Sequence, residues 1–227
     1  MKKNVIISWS SGKDSTLTLE RLNESPDYEV IGLYTTYVGD EVPFQATPKE
    51  VVAMQAELLG LPLLMIELPE VFPSNEIYQT TIVSALKQSR LKIDAVAFGD
   101  MFCNGIADYR RSYIEPAGWE CVFPLLGEES EDLAKEIIER GIETFLVTVD
   151  TNALAAEYCG QTYTQSLIEK LPERVDPCGE DGEFHTLVTK APSFKGEIDV
   201  SLQEVEKGER FVHQRYQASI KRDEVGE

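Results

Sequence analysis

The residues Ser10-Ser11-Gly12-Lys13-Asp14-Ser15 follow the apolar run Val5-Ile6-Ile7 and bring hydroxyls, a glycine, a lysine and a carboxylate to a point where a strand should give way to a helix. Backbone N–H groups at a helix N-terminus hold anions, and the helix dipole favours the same charge. The spacing therefore predicts a phosphate seat with Lys13 as counter-charge. It is not a Walker loop, which needs Gly-x-x-x-x-Gly-Lys-Ser/Thr, because only one glycine precedes the lysine. A plain strand-to-helix turn with a surface lysine is the competing reading.

Two further clusters carry reactive groups. In Phe98-Gly99-Asp100-Met101-Phe102 an apolar strand ends in a glycine that lets a backbone approach closely, and then in a carboxylate suited to Mg²⁺ or a ribose hydroxyl. The segment Asp176-Pro177-Cys178-Gly179-Glu180-Asp181-Gly182-Glu183-Phe184-His185-Thr186 packs four carboxylates, a thiol and an imidazole into eleven residues with two glycines. It can hold charge near a magnesium triphosphate or an amine nucleophile, or it can be an acidic turn of a β-hairpin. The cysteines Cys103, Cys121, Cys159 and Cys178 form no Cys-x-x-Cys pair, which argues against a zinc ribbon or a dithiol redox site and for reduced, mostly buried thiols.

The elements that must position these residues alternate. Strand patterns at 4–9, 29–36, 63–68, 93–99 and 143–149 are separated by helical patterns at 15–22, 48–59 (Gly60 as C-cap), 74–89, a segment capped by Ser130 and closed by Gly141, and 152–158 behind Thr151. This order predicts an α/β fold, a parallel sheet with helices on both faces. After Leu171-Pro172 the runs 183–189, 197–202 and 210–220 read as antiparallel strands. The expected organisation is an α/β domain at 1–171 and a smaller β-rich portion at 172–227 with a charged tail. Ligands of open α/β sheets sit at the carboxyl ends of the strands, so residues after Trp9, Leu33-Tyr34-Thr35-Thr36 and Phe98 should share one crevice.

The 227 residues can bury a sizeable core, and no apolar run approaches the length of a membrane span. A net charge of −19 opposes binding of bare nucleic acid, and the small basic pairs Arg110-Arg111 and Lys221-Arg222 do little to offset it. A cytoplasmic location is expected. The residues leave the oligomeric state open, a homodimer being one option.

With these motifs in view, the first loop resembles the PP-loop, Ser-Gly-Gly-x-Asp-Ser, of ATP pyrophosphatases, with Ser11 standing where that family has a glycine. Together with Phe98-Gly99-Asp100, Asp108-Tyr109-Arg110, Phe123-Pro124-Leu125, Val149-Asp150 and above all the segment 176–186, it resembles the diphthine–ammonia ligase family from about residue 4 to about 200. Two stretches depart from that family: Val42 to Ala46 lacks its histidine-containing segment, and Phe184-His185-Thr186 stands where many members have Tyr-Glu-Thr. The resemblance implies an adenine nucleotide α-hydrolase-like (HUP) fold, ATP and Mg²⁺, and amidation of a carboxylate with ammonium through an acyl adenylate. In the family that carboxylate is diphthine on translation elongation factor 2. On this reading Ser10, Ser11, Gly12, Lys13, Asp14 and Ser15 hold phosphates, and Leu33, Tyr34, Thr35 and Gly99 hold adenine and ribose. Asp14 or Asp100 binds Mg²⁺, Glu180 and Glu183 serve ammonium, and His185 orients the acyl group or acts as base. The alternatives are a PP-loop enzyme acting on another carboxylate, a tRNA thiolase using Cys103 or Cys178, and a non-catalytic ATP or AMP sensor.

Overall fold

The computed structural model describes residues 1–102 and 105–222. Along the chain it forms β1 (Lys3–Ser8), α1 (Lys13–Glu24), β2 (Tyr28–Tyr37), a small hairpin of β3 (Glu41–Val42) and β4 (Thr47–Pro48), α2 (Lys49–Leu59), β5 (Leu63–Glu67), α3 (Asn75–Gln88), β6 (Ala95–Ala97), α4 (Ile106–Ile114), β7 (Glu120–Val122) and α5 (Ser130–Glu139). β8 (Glu143–Asp150), a short α6 (Gln165–Ile168), β9 (Phe184–Lys190), β10 (Glu197–Lys207) and β11 (Phe211–Lys221) complete it. No helix among the described residues is long and apolar enough to cross a membrane.

The expected parallel sheet is present, five strands in the order β5-β2-β1-β6-β7. β1 lies at its centre and is buried on both faces, which is why its core reads as an unbroken apolar run. Strand alternation sends Val5 and Ile7 to one side, against Leu17 of α1, Val52 of α2 and Leu133 of α5. Ile6 points to the other side, against Ile82 and Leu86 of α3 and Ile114 of α4. The chain leaves β1 in one direction through β2 and returns on the other side at β6, so the strand order reverses beside β1. The carboxyl ends of β1 and β6 open into a crevice there.

Some boundaries and one pairing differ from expectation. α1 starts at Lys13, two residues before Ser15, and Ser130 is the first helical residue of α5 with Glu129 at the cap position. Gly60 closes α2 in the left-handed conformation, φ +67°, with the Gly60 and Leu61 N–H groups turned back onto Glu57 and Ala56. The strand at Glu143–Asp150 belongs to a second, antiparallel sheet of order β10-β11-β8-β9, not to the parallel one. Seven of its eight residues are buried, so it carries no alternation to distinguish the two kinds of sheet. The helix expected over 152–158 is absent. The Asp150 carboxylate accepts the Asn152 N–H at 3.0 Å, its carbonyl accepts the Ala153 and Leu154 N–H groups, and only a 3₁₀ turn at Ala156–Tyr158 follows. Both sheets contribute to one apolar cluster, which runs from Val5 and Leu17 through Phe145 and Leu187 to Ile198.

Candidate functional site

The loop after β1 and the first turn of α1 sit at the reversal point, and the segment 176–186 is docked on them. The Val188 N–H donates to the Ser11 carbonyl at 3.0 Å, and the Lys13 N–H donates to Thr186 Oγ1 at 3.2 Å. A Cβ on Gly12 would lie 3.1 Å from the Thr186 carbonyl oxygen, so that glycine is what allows β9 to come this close. Gln55 of α2, fully buried, fastens the junction. Its amide donates to the Ser11 carbonyl at 3.1 Å and the Val188 carbonyl at 2.8 Å, and its oxygen accepts the Trp9 indole N–H at 2.8 Å. Ser11, where the resembling family has glycine, adopts φ +65° and folds its hydroxyl onto the Ser10 carbonyl at 2.5 Å.

Lys13 is 2% exposed and points away from solvent. Its ammonium donates to both Asp14 carboxylate oxygens, at 2.8 and 2.9 Å, and to the Cys178 carbonyl, and it lies 5.7 Å from the centre of the Phe184 ring. Burial works against this charge, but the facing Asp14 carboxylate, helped by Cys178 and Glu180, outweighs it and holds the Lys13 pKa above its ordinary value. For Asp14 burial wins over the pull of Lys13 and raises its pKa.

Gly99 does its work against the chain itself. A Cβ there would meet the Asp14 carbonyl carbon at 3.0 Å and the Ser15 nitrogen at 3.1 Å, so β6 ends in backbone contact with the first turn of α1. Asp100 follows and accepts from Arg110 Nε at 3.1 Å. Burial opposes the Arg110 charge, and Asp100 with the surrounding tyrosines overcomes it, keeping the guanidinium firmly protonated. Its guanidinium stacks 4.8 Å from the Phe98 ring and reaches the Tyr113 and Tyr78 hydroxyls.

Three cavities meet at Ser10. One of about 120 Å³ lies between Gly12, Lys13, Glu180, His185 and Thr186. A second, about 180 Å³, is bounded by Asp14, Ser15, Gly99, Asp100, Arg110 and Glu180. The third, about 260 Å³, runs past Thr35, Thr36, Gln45, Tyr78 and Arg110. Burial, followed by the Asp14 charge, pushes the Glu180 carboxyl up to about 8. Burial, followed by Lys13 and His213, draws the His185 imidazole down to about 4, so it is neutral at pH 7.

The structure thus brings together Ser10, Gly12, Lys13, Asp14, Ser15, Gly99, Asp100, Glu180 and His185. Four residues singled out from the sequence lie elsewhere, among them Ser11, which is fully buried and lines none of the three cavities. Glu183 is 4% exposed and turned into its own loop, where its carboxylate accepts the Asp176 N–H at 2.9 Å and the Asp181 N–H at 3.0 Å. Leu33 and Tyr34 are buried in the core, and the Tyr34 carbonyl is taken by the Trp9 N–H at 2.7 Å. The cavity on that side is walled by Thr35 and Thr36 instead. Cys103 lies outside the described residues. Cys178 is buried, with its thiol directed at the Ser130 carbonyl, and burial pushes its pKa up to about 12. Gln45, Gln55, Asp176 and Arg110 were not anticipated as site residues. Of these Arg110 had a sequence signal in Asp108-Tyr109-Arg110, and Asp176 in the segment 176–186.

As to metal, Asp14, Asp100 and Glu180 line one cavity, while the described residues contain no cluster of three or more His, Cys, Asp or Glu able to cage an ion. Such a donor set suits Mg²⁺ held by one or two carboxylates with phosphate and water completing its shell.

Fold and site define an open α/β protein with an anion-ready helix terminus closed over by a C-terminal antiparallel sheet. Residues 129–224 match the family model of the diphthamide synthase C-terminal domain, and the chain is similar to a diphthine–ammonia ligase, the family its motifs resemble. A diphthine–ammonia ligase of Schizosaccharomyces pombe is 24% identical over 223 residues, covering 86% of this chain and 36% of that protein. The chain therefore spans about a third of that relative's length. Among solved structures, a predicted subunit of tRNA methyltransferase from Methanocaldococcus jannaschii aligns with TM-score 0.42 at 19% identity, over 68% of this chain and 81% of its own. The U34-tRNA thiolase NcsA of Methanococcus maripaludis, with its [4Fe-4S] cluster, aligns with TM-score 0.40 at 18% identity, over 60% and 56%.

Proposed function

We propose that this chain is an ATP-dependent, AMP-forming ligase that adenylates a carboxylate and amidates it with ammonium. The observation that carries this reading is the docking of the segment 176–186 onto the phosphate loop. Two motifs more than 160 residues apart in sequence share hydrogen bonds and line the same cavity.

A carboxylate does not react with ammonia at neutral pH until its oxygen becomes a leaving group. In the proposed course a carboxylate oxygen attacks the α-phosphorus of ATP and pyrophosphate departs. Ammonia then attacks the acyl carbon, losing a proton, and AMP leaves. The N-terminal amides of α1, with Ser10, Ser15 and Lys13, hold the β- and γ-phosphates, and Arg110 faces them across the cavity, so the charge of the departing pyrophosphate meets fixed donors. Mg²⁺, held by Asp14 or Asp100, would neutralise the same oxygens. Glu180, with a pKa near 8, is matched to removing a proton from the incoming amine at neutral pH. His185, neutral, orients the acyl group by hydrogen bonding. Glu183 acts as a positioning residue that fixes the backbone around Glu180. Thr35, Thr36 and the chain at Gly99 border the space for adenine and ribose. The buried, high-pKa thiol of Cys178 argues against its use as a sulfur carrier. Following the relative's name, diphthine on elongation factor 2 is the first carboxylate to test, and small carboxylic acids the second.

The deciding experiment measures ATP binding by calorimetry, and then AMP and pyrophosphate release with candidate acids and ammonium. Saturable ATP·Mg²⁺ binding, and AMP formation that needs the acid, support the proposal. Absence of binding, or ADP as sole product, overturns it.

A further inference from the structure

The hairpin joining β3 to β4 is strained at its tip. Phe44 has φ +67° and Ala46 φ +48°, and besides Ser11 these are the non-glycine residues with positive φ among those described. Left-handed backbone at non-glycine residues persists only where the surroundings impose it, and it clusters at ligand sites. Between the two sits Gln45. Its carbonyl is fastened by the Thr148 hydroxyl at 3.2 Å, and that hydroxyl in turn lies 2.9 Å from His213 Nδ1. Gln45 lines both the cavity over Lys13 and His185 and the cavity beside Thr35 and Thr36. Oε1 of Gln45 is buried and meets no donor among the described residues. A buried amide oxygen without a partner is costly, and an apolar side chain of similar shape would avoid that cost.

We propose that Gln45 is a specificity-determining residue, held by the strained hairpin so that its amide oxygen accepts an N–H from a ligand at the junction of the two cavities. This rests on the nucleotide reading above and deepens it. The N–H can come from the exocyclic amine of adenine or from ammonium, and two measurements distinguish them. Calorimetry compares ATP with ITP, whose base carries a carbonyl where adenine carries the amine. Thermal unfolding with ATP·Mg²⁺ present compares ammonium chloride with sodium chloride at equal ionic strength.

If adenine is the donor, Gln45→Leu weakens ATP binding about 3- to 10-fold and leaves ITP binding unchanged, while Gln45→Glu, which keeps the acceptor, retains the preference for ATP. If ammonium is the donor, the ammonium-specific rise in Tm disappears in Gln45→Leu and grows in Gln45→Glu. In either case Gln45→Leu without ligand should melt about 2–4 °C higher, because the side chain is kept at the expense of stability. Unchanged ATP preference together with an unchanged ammonium effect would make Oε1 a site for water only and overturn the proposal. A lower Tm for unliganded Gln45→Leu overturns it as well, whatever the nucleotide results. Failure of the wild-type chain to bind ATP sinks the nucleotide reading alone, and the stability comparison still judges Gln45.

Discussion

Gly99→Ala isolates the close approach of β6 to the phosphate loop. Gly99 does not have a left-handed φ, so alanine fits its backbone, and only the new Cβ matters. That Cβ would lie 3.0 Å from the Asp14 carbonyl carbon, 3.1 Å from its oxygen and 3.1 Å from the Ser15 nitrogen, all backbone atoms that cannot rotate aside. Comfortable contact begins near about 3.5 Å, so the first turn of α1 must retreat by roughly 0.5 Å. Overpacking of this kind costs about 1–3 kcal/mol, and the stiffer unfolded chain returns about 0.4–1, for a net loss of about 1–2 kcal/mol. For a chain of this size that is about 2–8 °C in Tm. The amides that retreat are those assigned to the phosphates, so ATP affinity should fall about tenfold or more, since bonds to charged groups weaken steeply with length. Gly39→Ala is the control. Its φ of +63° makes alanine strained, but no atom lies near its Cβ, so it should lose stability and keep ATP affinity. The reasoning is refuted if Gly99→Ala melts and binds ATP like the wild type, or if both variants lose affinity equally.

Lys13→Met leaves the Asp14 carboxylate, 24% exposed, without its cation; about 1–3 kcal/mol of stability should go with it in denaturant titrations, and turnover should fall roughly a hundredfold or more. The half-buried His185 imidazole binds a proton near pH 6.5 when unfolded and only near about 4 when folded. Its neutral form therefore favours the folded state fully above the unfolded pKa, and that contribution is lost as pH falls from 6.5 to 4, by at most about 3 kcal/mol. His185→Gln should flatten this acid limb, and an unchanged stability–pH curve would contradict the assignment. Burial holds the Cys159 and Cys121 thiols up at about 11 and Cys178 at about 12, so native protein at pH 8 should resist iodoacetamide at all three, as read by mass spectrometry. Rapid alkylation at Cys178 would show that its cover opens. Thr186→Val removes the acceptor of the Lys13 N–H while keeping shape, and should cost about 1 kcal/mol of stability and weaken ATP binding measurably by calorimetry.

Most of the parallel sheet was legible because buried strands are apolar runs bounded by turn residues. The omissions have physical causes. β7 is three residues, too short to show a period, and α4 buries only Ala107, Tyr113 and Ile114, too few for an apolar stripe, because Arg110 borders the cavity beside Asp100 and Asp108 and Ser112 face solvent. The site motifs were legible as chemistry but not as orientation. In the segment 176–186 a carboxylate can face a ligand or satisfy the amides of its own turn, and sequence does not separate the two. The Asp176 and Asp181 N–H groups needed an acceptor, Glu183 became it, and Glu180 was left facing the cavity. Gln45 and Gln55 carried no pattern at all. Their roles come from a strained turn and a three-way junction, which exist only after distant segments meet.

That junction bears on how the two sheets depend on each other. The carbonyl of Ser11 has β9 and α2 as its donors, the Lys13 amide has Thr186 as acceptor, and the Lys13 ammonium has Cys178. Without the segment 176–188 the Lys13 amide would lose its acceptor, the Ser11 carbonyl would keep only the Gln55 amide, and the lysine ammonium would face Asp14 alone. The segment leading into the antiparallel sheet is therefore a wall of the cavity over Lys13, and β8 ties that sheet together by pairing with β9 along one edge and β11 along the other. A ligand that engages Lys13 must compete with Asp14 and with the Cys178 carbonyl for the same ammonium protons. On the proposed reading a triphosphate with a divalent cation would do so: Asp14 would hold the cation, which would supply the positive charge that Lys13 gives up to the phosphate.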